Sequence, residues 1–452
     1  MRAPAIAVAL AALLVGGSRA RAQELSPAER SVAGWVTDHL DDELAALEAV
    51  VNVDSATENL AGVREVGAWF RRRLEALGFT ARWVELPEAL HRAGHLVAER
   101  RGDAKGKRVL LLGHLDTVLQ GPAHRFRRDG AAVRGAGAVD MKGGDVVILY
   151  ALEALDATGL LGAGTVRVVL TGDEENPGLP IDVSRRDLVE VARQSDVALC
   201  FEADVGGKVT VARRGVTDWT LEVTGVQGHS AGVLQEEVGA GAAYEAARVV
   251  DGFRRAFQGQ RSVTVNPALV LGGTEVTHDL AASAGTAAGK TNVVARSAVI
   301  SGDLRFLTPA EEDRARARMA AIAARSLPRT FARLTFRALF PSMPPTRGNL
   351  AVLSVVDGVT RALGRGPTVA LDPLERGAGD FSFIASEVSG VDGLGVAGEG
   401  SHGPDERMEV ASLVPSTQRA AVAIARLLRA ELGRGSGGRP RAAGAPAPMH
   451  RE

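Results

Sequence analysis

The chain holds a single cysteine, Cys200, in 452 residues. No intramolecular disulfide can form, so an oxidising compartment contributes nothing to this fold. An excess of one charge is also missing. The formal net charge is −1 and no long basic block occurs, which argues against nucleic acid and against an anionic membrane surface as partners. The expected partner is small. No internal repeat is present. The N-terminal apolar run, residues 3–15, is too short to span a bilayer as a stable helix. It follows Arg2 and precedes Ala20-Arg21-Ala22, an order that predicts a secretory signal peptide over 1–22, cut after Ala22. No cysteine follows the run to carry a lipid, so the expectation is a secreted or periplasmic protein without a stable membrane anchor.

With 46% hydrophobic and 24% charged residues, the chain is globular material and long enough for two domains. Apolar strand-like runs at 108–113, 165–171 and 196–202 alternate with an apolar-faced helical segment at 144–157. That alternation predicts an α/β layer with a mainly parallel sheet, in which ligands gather at the carboxyl ends of strands. From about residue 208 the texture changes to strand pairs and helices, including "VTDWTLEVTGV", a helix within "EEVGAGAAYEAARVVDGFRRAF", a strand at 296–306, a helix near 309–324 and "ARLTFRALF". The prediction is an inserted α+β domain over 210–342. The first domain would flank it in two parts, at 23–209 and 343–432. The prolines at 341–345 are expected to form the hinge, the Gly/Ala-rich stretch 281–290 a mobile loop, and 433–452 a disordered tail.

Chemistry-bearing residues recur at the predicted strand ends. His114 and Asp116 follow one strand, one residue apart, so the carboxylate is placed to orient the imidazole. Asp140 stands in the glycine-rich "RGAGAVDMKGG" at the start of the apolar helix. A phosphate loop is excluded there, because the third glycine of a dinucleotide pattern is missing; at Gly289-Lys290-Thr291, Ala284 stands where a P-loop needs glycine. Three consecutive carboxylates, Asp173, Glu174 and Glu175, close the next strand, and Glu202 closes another. His402 sits far downstream in "GEGSHGP". Mutual repulsion disfavours such a gathering unless cations offset it. Imidazole and carboxylate donors together suit zinc.

In this order, "GHLDTV", "GAGAVDMKGG", "TGDEE", "FEAD" and "SHGPDE" resemble the co-catalytic zinc metallopeptidase family that includes carboxypeptidase G-type glutamate carboxypeptidases, acetylornithine deacetylase, succinyl-diaminopimelate desuccinylase and aminoacylase. The resemblance covers about 44–428. It implies a dizinc-exopeptidase-like catalytic domain with an inserted lid, commonly used for dimerisation, and two zinc ions, with cobalt or manganese as substitutes. By motif, His114 and Glu202 would bind one ion, Glu175 and His402 the other, and Asp140 would bridge them. Glu174 would be the general base, and the peptide after Asp140 would be cis. His229 in Gly228-His229-Ser230 resembles the lid histidine that stabilises an oxyanion, while Asn292 and Arg305 resemble the substrate-binding pair. Two departures stand out: an insertion between Gly273 and Lys290, and "FEAD" in place of "FEPT", which makes Asp204 a rival to Glu202.

The activity so implied is hydrolysis of an amide bond next to a free carboxylate, in a small peptide or an N-acyl amino acid. Export favours a scavenging carboxypeptidase over a biosynthetic deacylase. An amidase acting on carbamoyl groups and a catalytically silent binding protein on the same scaffold stay open as rivals, although every ligand and base position is filled.

Overall fold

The computed structural model describes residues 24–279 and 282–429. The signal peptide and the tail expected from the sequence lie outside them.

The first sheet has six strands in the spatial order Thr80–Val84, His95–Arg100, Thr165–Thr171, Arg108–His114, Val197–Cys200 and Gly390–Val391. Only His95–Arg100 runs against the others, so the sheet is mainly parallel. Its central strands are apolar on both faces because both faces are covered. Val109 and Leu111 enter one core with the helices Lys142–Ala157 and Val410–Arg429, whereas Leu110 and Leu112 enter another with Leu188, Phe381 and Ile384. Every residue from Val109 to His114 is buried. At about 1.5–3 kcal/mol per large apolar side chain, this sandwich is the main stabilising block of the molecule.

The second sheet is antiparallel throughout, in the order Thr330–Phe340, Gly215–Gly225, Ser297–Phe306, Thr264–Gly273. The helices Gly241–Phe257 and Pro309–Ala323 cover one face. There Trp219, Ile300 and Phe306 meet Val249, Phe253 and Met319. A capping box between Thr308 and Glu311 starts the second of these helices.

One expectation needs correction. The stretch predicted as a mobile loop contains the strand Ala284–Ala288, paired with Glu275–Asp279 as an antiparallel hairpin. Its small residues carry no period-two signal, but backbone pairing does not need one. The proline segment is also less free than a bare linker: Met343 is buried and exchanges two backbone hydrogen bonds with Arg213, at 2.9 and 3.0 Å. Among the described residues no helix is long and apolar enough to cross a membrane.

Candidate metal centre

Three adjacent parallel strands, Thr165–Thr171, Arg108–His114 and Val197–Cys200, stop at the same edge of the first sheet. His114 is the last residue of the middle strand, Glu174 and Glu175 follow the first, and Glu202 follows the third by two residues. Asp140 arrives from the side, just ahead of Lys142–Ala157, and the Asp140–Met141 peptide is cis. Close approach of that helix requires glycine. A Cβ on Gly144 would lie 1.9 Å from the Phe201 carbonyl oxygen, beside Glu202. His402 comes from a turn with φ 65°.

These side chains form two groups that share Asp140: His114, Asp140 and Glu202, and Asp140, Glu175 and His402, with donor atoms within 4.8 Å of one another in each. His114 Nε2 lies 3.3 Å from Asp140 and 3.6 Å from Glu202. His402 Nε2 lies 3.2 Å from Asp140 and 3.1 Å from Glu175. The two halves differ in access, since the His114 side chain is 1% exposed and the His402 side chain 57%.

The electrostatics are those of a site short of positive charge. Burial pushes the His114 imidazole down, but Asp116, Asp140 and Glu202 outweigh it and hold its pKa well above the usual histidine range. Hydrogen bonds to Asp140 and Glu175 push His402 up to about 11. Burial pushes Glu202 up to about 7 and raises Glu174 and Glu175 as well. Imidazole and carboxylate oxygen are the donor types that zinc accepts. The residues therefore fit a pair of divalent ions by number, type and charge.

Supporting contacts set the orientation. His114 Nδ1 lies 3.0 Å from the Asp116 carbonyl oxygen and 3.5 Å from its carboxylate, so the backbone oxygen is the nearer acceptor. With Nδ1 donating there, Nε2 is the ring nitrogen turned toward Asp140 and the one placed to ligate an ion. The Asp116 carboxylate instead accepts the amides of Glu174 and Glu175 at 3.0 and 3.1 Å, and the Thr57 hydroxyl at 2.7 Å. It holds the acidic loop in place.

The three successive carboxylates part ways. Asp173 turns inward to Arg185, at 2.6 Å, and to the Ser184 hydroxyl, while Arg185 also binds Asp380 at 2.6 Å. Glu175 joins a candidate ligand group, and Glu174 belongs to neither group. Asp204 pairs with Arg419 at 3.0 Å and also lies outside both groups, whereas Glu202 lies within one.

Sequence reasoning missed four contributors. Arg185 and Asp380 are distant in sequence, and a buried arginine leaves no periodic trace. Glu406 was inside a quoted motif without a role; burial pushes its carboxyl up to about 7 although it accepts three backbone amides. Arg376 is a further neighbour, 3.7 Å from Glu202 and bonded to the Thr210 hydroxyl.

The inserted-domain candidates stand apart. His229 caps a short turn by accepting the Ala231 amide at Nδ1, 3.1 Å away, and the Ser230 amide donates to the Asn292 carbonyl, which places His229 beside Asn292. Arg305 pairs with Asp303 at 2.7 Å. Among the described residues, no hydrogen bond or ion pair joins these three to the cluster.

Comparison with known proteins follows the same outline. The sequence model of Peptidase family M20/M25/M40 matches residues 110–426. Carboxypeptidase G2 of Pseudomonas sp. (strain RS-16) is 32% identical over 252 residues, 54% of this chain and 58% of its own length. A succinyl-diaminopimelate desuccinylase of Methylibium petroleiphilum is 29% identical over 398 residues, 82% of this chain and 94% of its own. Against carboxypeptidase G2 and a second desuccinylase, from Leptothrix cholodnii, the match spans only 58% and 52% of the relative's length. Among solved structures, aminopeptidase PepT from Bacillus cereus shares the fold with a TM-score of 0.69 at 18% identity, covering 86% of this chain and 98% of that one. The Bacillus subtilis YXEP protein, a dinuclear metal binding peptidase from the M20 family, gives 0.60 at 16% identity, covering 87% and 99%.

Proposed function

The chain belongs to Peptidase family M20/M25/M40, and on that premise we propose that it is a secreted or periplasmic dizinc hydrolase that cleaves an amide bond next to a free carboxylate. The observation that carries the reading is the pair of donor groups sharing Asp140, with the partly buried Glu174 alongside and uncommitted to either. His114, Asp140 and Glu202 would hold one ion, and Asp140, Glu175 and His402 the other. When bound, two zinc ions, or cobalt or manganese in their place, supply Lewis acidity that polarises a carbonyl and acidifies water.

The protein's own groups then divide the work. Glu174 takes the proton of the attacking water as its oxygen bonds to the amide carbon, and delivers that proton to the nitrogen as the C–N bond breaks. His229 accepts an amide at Nδ1, so Nε2 carries the hydrogen and is the atom available to donate to a developing oxyanion. Arg305 and Asn292 would hold the free carboxylate, Arg305 through its planar fork. All three lie in the inserted domain, so that domain must close over the substrate or be supplied by a second subunit of a homodimer. Export rests on the signal-peptide pattern in residues 1–22.

A carboxypeptidase acting on small peptides is the leading form of this activity, supported by the match to carboxypeptidase G2. N-acyl amino acid deacylation is the second, favoured by a desuccinylase relative that matches 82% of the chain. Hydrolysis of matched dipeptides and N-acyl amino acids by zinc-reconstituted protein, each with the carboxylate free and amidated, tests both. The expected result is turnover of the free acids alone. A protein that binds two ions yet cleaves none of them would be the silent binding scaffold instead.

A further inference from the structure

Glu406 is 4% exposed and lies four residues beyond His402, yet its side chain belongs to the other loop of the centre. Its two oxygens accept the backbone amides of Gly137 at 3.1 Å, Val139 at 2.8 Å and Asp140 at 3.0 Å. Its own carbonyl accepts the Gly135 amide, and its own amide donates to Gly403, next to His402. The strands Ala132–Arg134 and Arg407–Glu409 pair at the base of the two loops. The glutamate side chain ties them together at the level of the ligands.

This tie carries an electrostatic cost. Among the described residues the Glu406 carboxylate takes its hydrogen bonds from backbone amides; the buried Lys142 ammonium offsets part of its charge, but it still adds a carboxylate beside Asp140 and a cluster that already holds Glu175 and Glu202. Like charges so close repel unless cations are present. The cost is offset when the centre is loaded, and an orienting partner outside the ligand set then holds Asp140 and His402 in register.

We propose that Glu406 is a positioning residue that couples the two ligand loops, so that divalent-ion affinity at the Asp140–Glu175–His402 position depends on a side chain that is not a ligand. The inference rests on the reading of those three residues as ligands. Its test is zinc titration of chelator-stripped full-length protein by calorimetry, with metal content and melting temperature measured in parallel, for the parent, Glu406→Gln and Glu406→Ala. Expected are about 10–100-fold weaker binding of one of the two ions in both variants, a smaller zinc-induced rise in melting temperature, and little change in the melting temperature of the stripped protein. A merely structural role would lower the stripped and loaded forms equally and leave zinc affinity alone, and that outcome overturns the proposal. A parent that binds no zinc overturns the dizinc reading itself, so the two failures are told apart. Should Glu406→Ala fail to fold, Glu406→Gln, which keeps the volume and one acceptor oxygen, decides the question.

Discussion

Asp173, Glu174 and Glu175 are consecutive, but each side chain meets a different environment, and those environments predict three different mutants. Asp173 is neutralised by Arg185, so its loss is a folding defect. Glu175 touches His402, so its loss is a metal defect. Of the three, Glu174 alone lies partly buried beside the cluster without joining either group. Glu174→Gln keeps the volume and removes the proton acceptor, so the variant should retain two zinc ions and lose about two to four decades of turnover. Metal analysis beside steady-state kinetics checks this, and depleted zinc would make Glu174 a ligand instead. At this scale the sequence was legible wherever a residue type implied its chemistry, as with His114, Asp140 and His402. It was not legible where one acidic residue had to be told from its neighbour by what it faces. Asp204 and Glu202 stand two residues apart in "FEAD", and the structure separates them by what each faces: Asp204 pairs with Arg419, whereas Glu202 joins a candidate ligand group.

The elements that carry the site are held by contacts that span long stretches of chain. The loop after Thr165–Thr171 is pinned by Arg185, whose guanidinium joins Asp173 to Asp380, and Asp380 also accepts the Thr171 hydroxyl at 2.6 Å. All of these groups are buried. Replacing Arg185 with leucine would strand two carboxylates in a low-dielectric core, at a cost of about 3–5 kcal/mol. Chemical denaturation should show that loss, and it should persist in zinc-saturated protein, because Asp173, Arg185 and Asp380 belong to neither candidate ligand group. The central strands were legible as apolar runs since both faces of the sheet are covered, and the helix at Lys142–Ala157 since nearly all of it is buried. The hairpin at Glu275–Asp279 and Ala284–Ala288 was not, because glycine and alanine give the same composition to a loop and to an exposed strand.

At the scale of the molecule, the centre lies at the edge of the first sheet, whereas Arg305 is on a strand of the second and His229 and Asn292 are in turns beside its strands, and the proposed reaction requires them to be brought together. Arg305 and His229 should fail in distinguishable ways. Arg305→Ala should raise KM by about 10–100-fold for substrates with a free α-carboxylate and much less for their amides, as loss of a bidentate charge-assisted contact implies. His229→Ala should lower kcat by about 10²–10³ with little change in KM, as expected for a donor used mainly in the transition state. Equal losses on free and amidated substrates in the Arg305 variant would remove the recognition element from the proposed activity.

The chain passes into the second-sheet region after Arg213 and comes back at Met343, the two residues joined by an isolated antiparallel bridge, and the Arg213 side chain is clamped by Asp392 and by the carbonyls of Gly377 and Ala378. Bridged partners of this kind lie only about 5.5 Å apart. Everything between them is therefore an excursion that starts and finishes at almost the same place. A turn of about two to four residues spans such a gap, so the polypeptide can be spliced from one side to the other without rerouting the body that holds the candidate ligand groups.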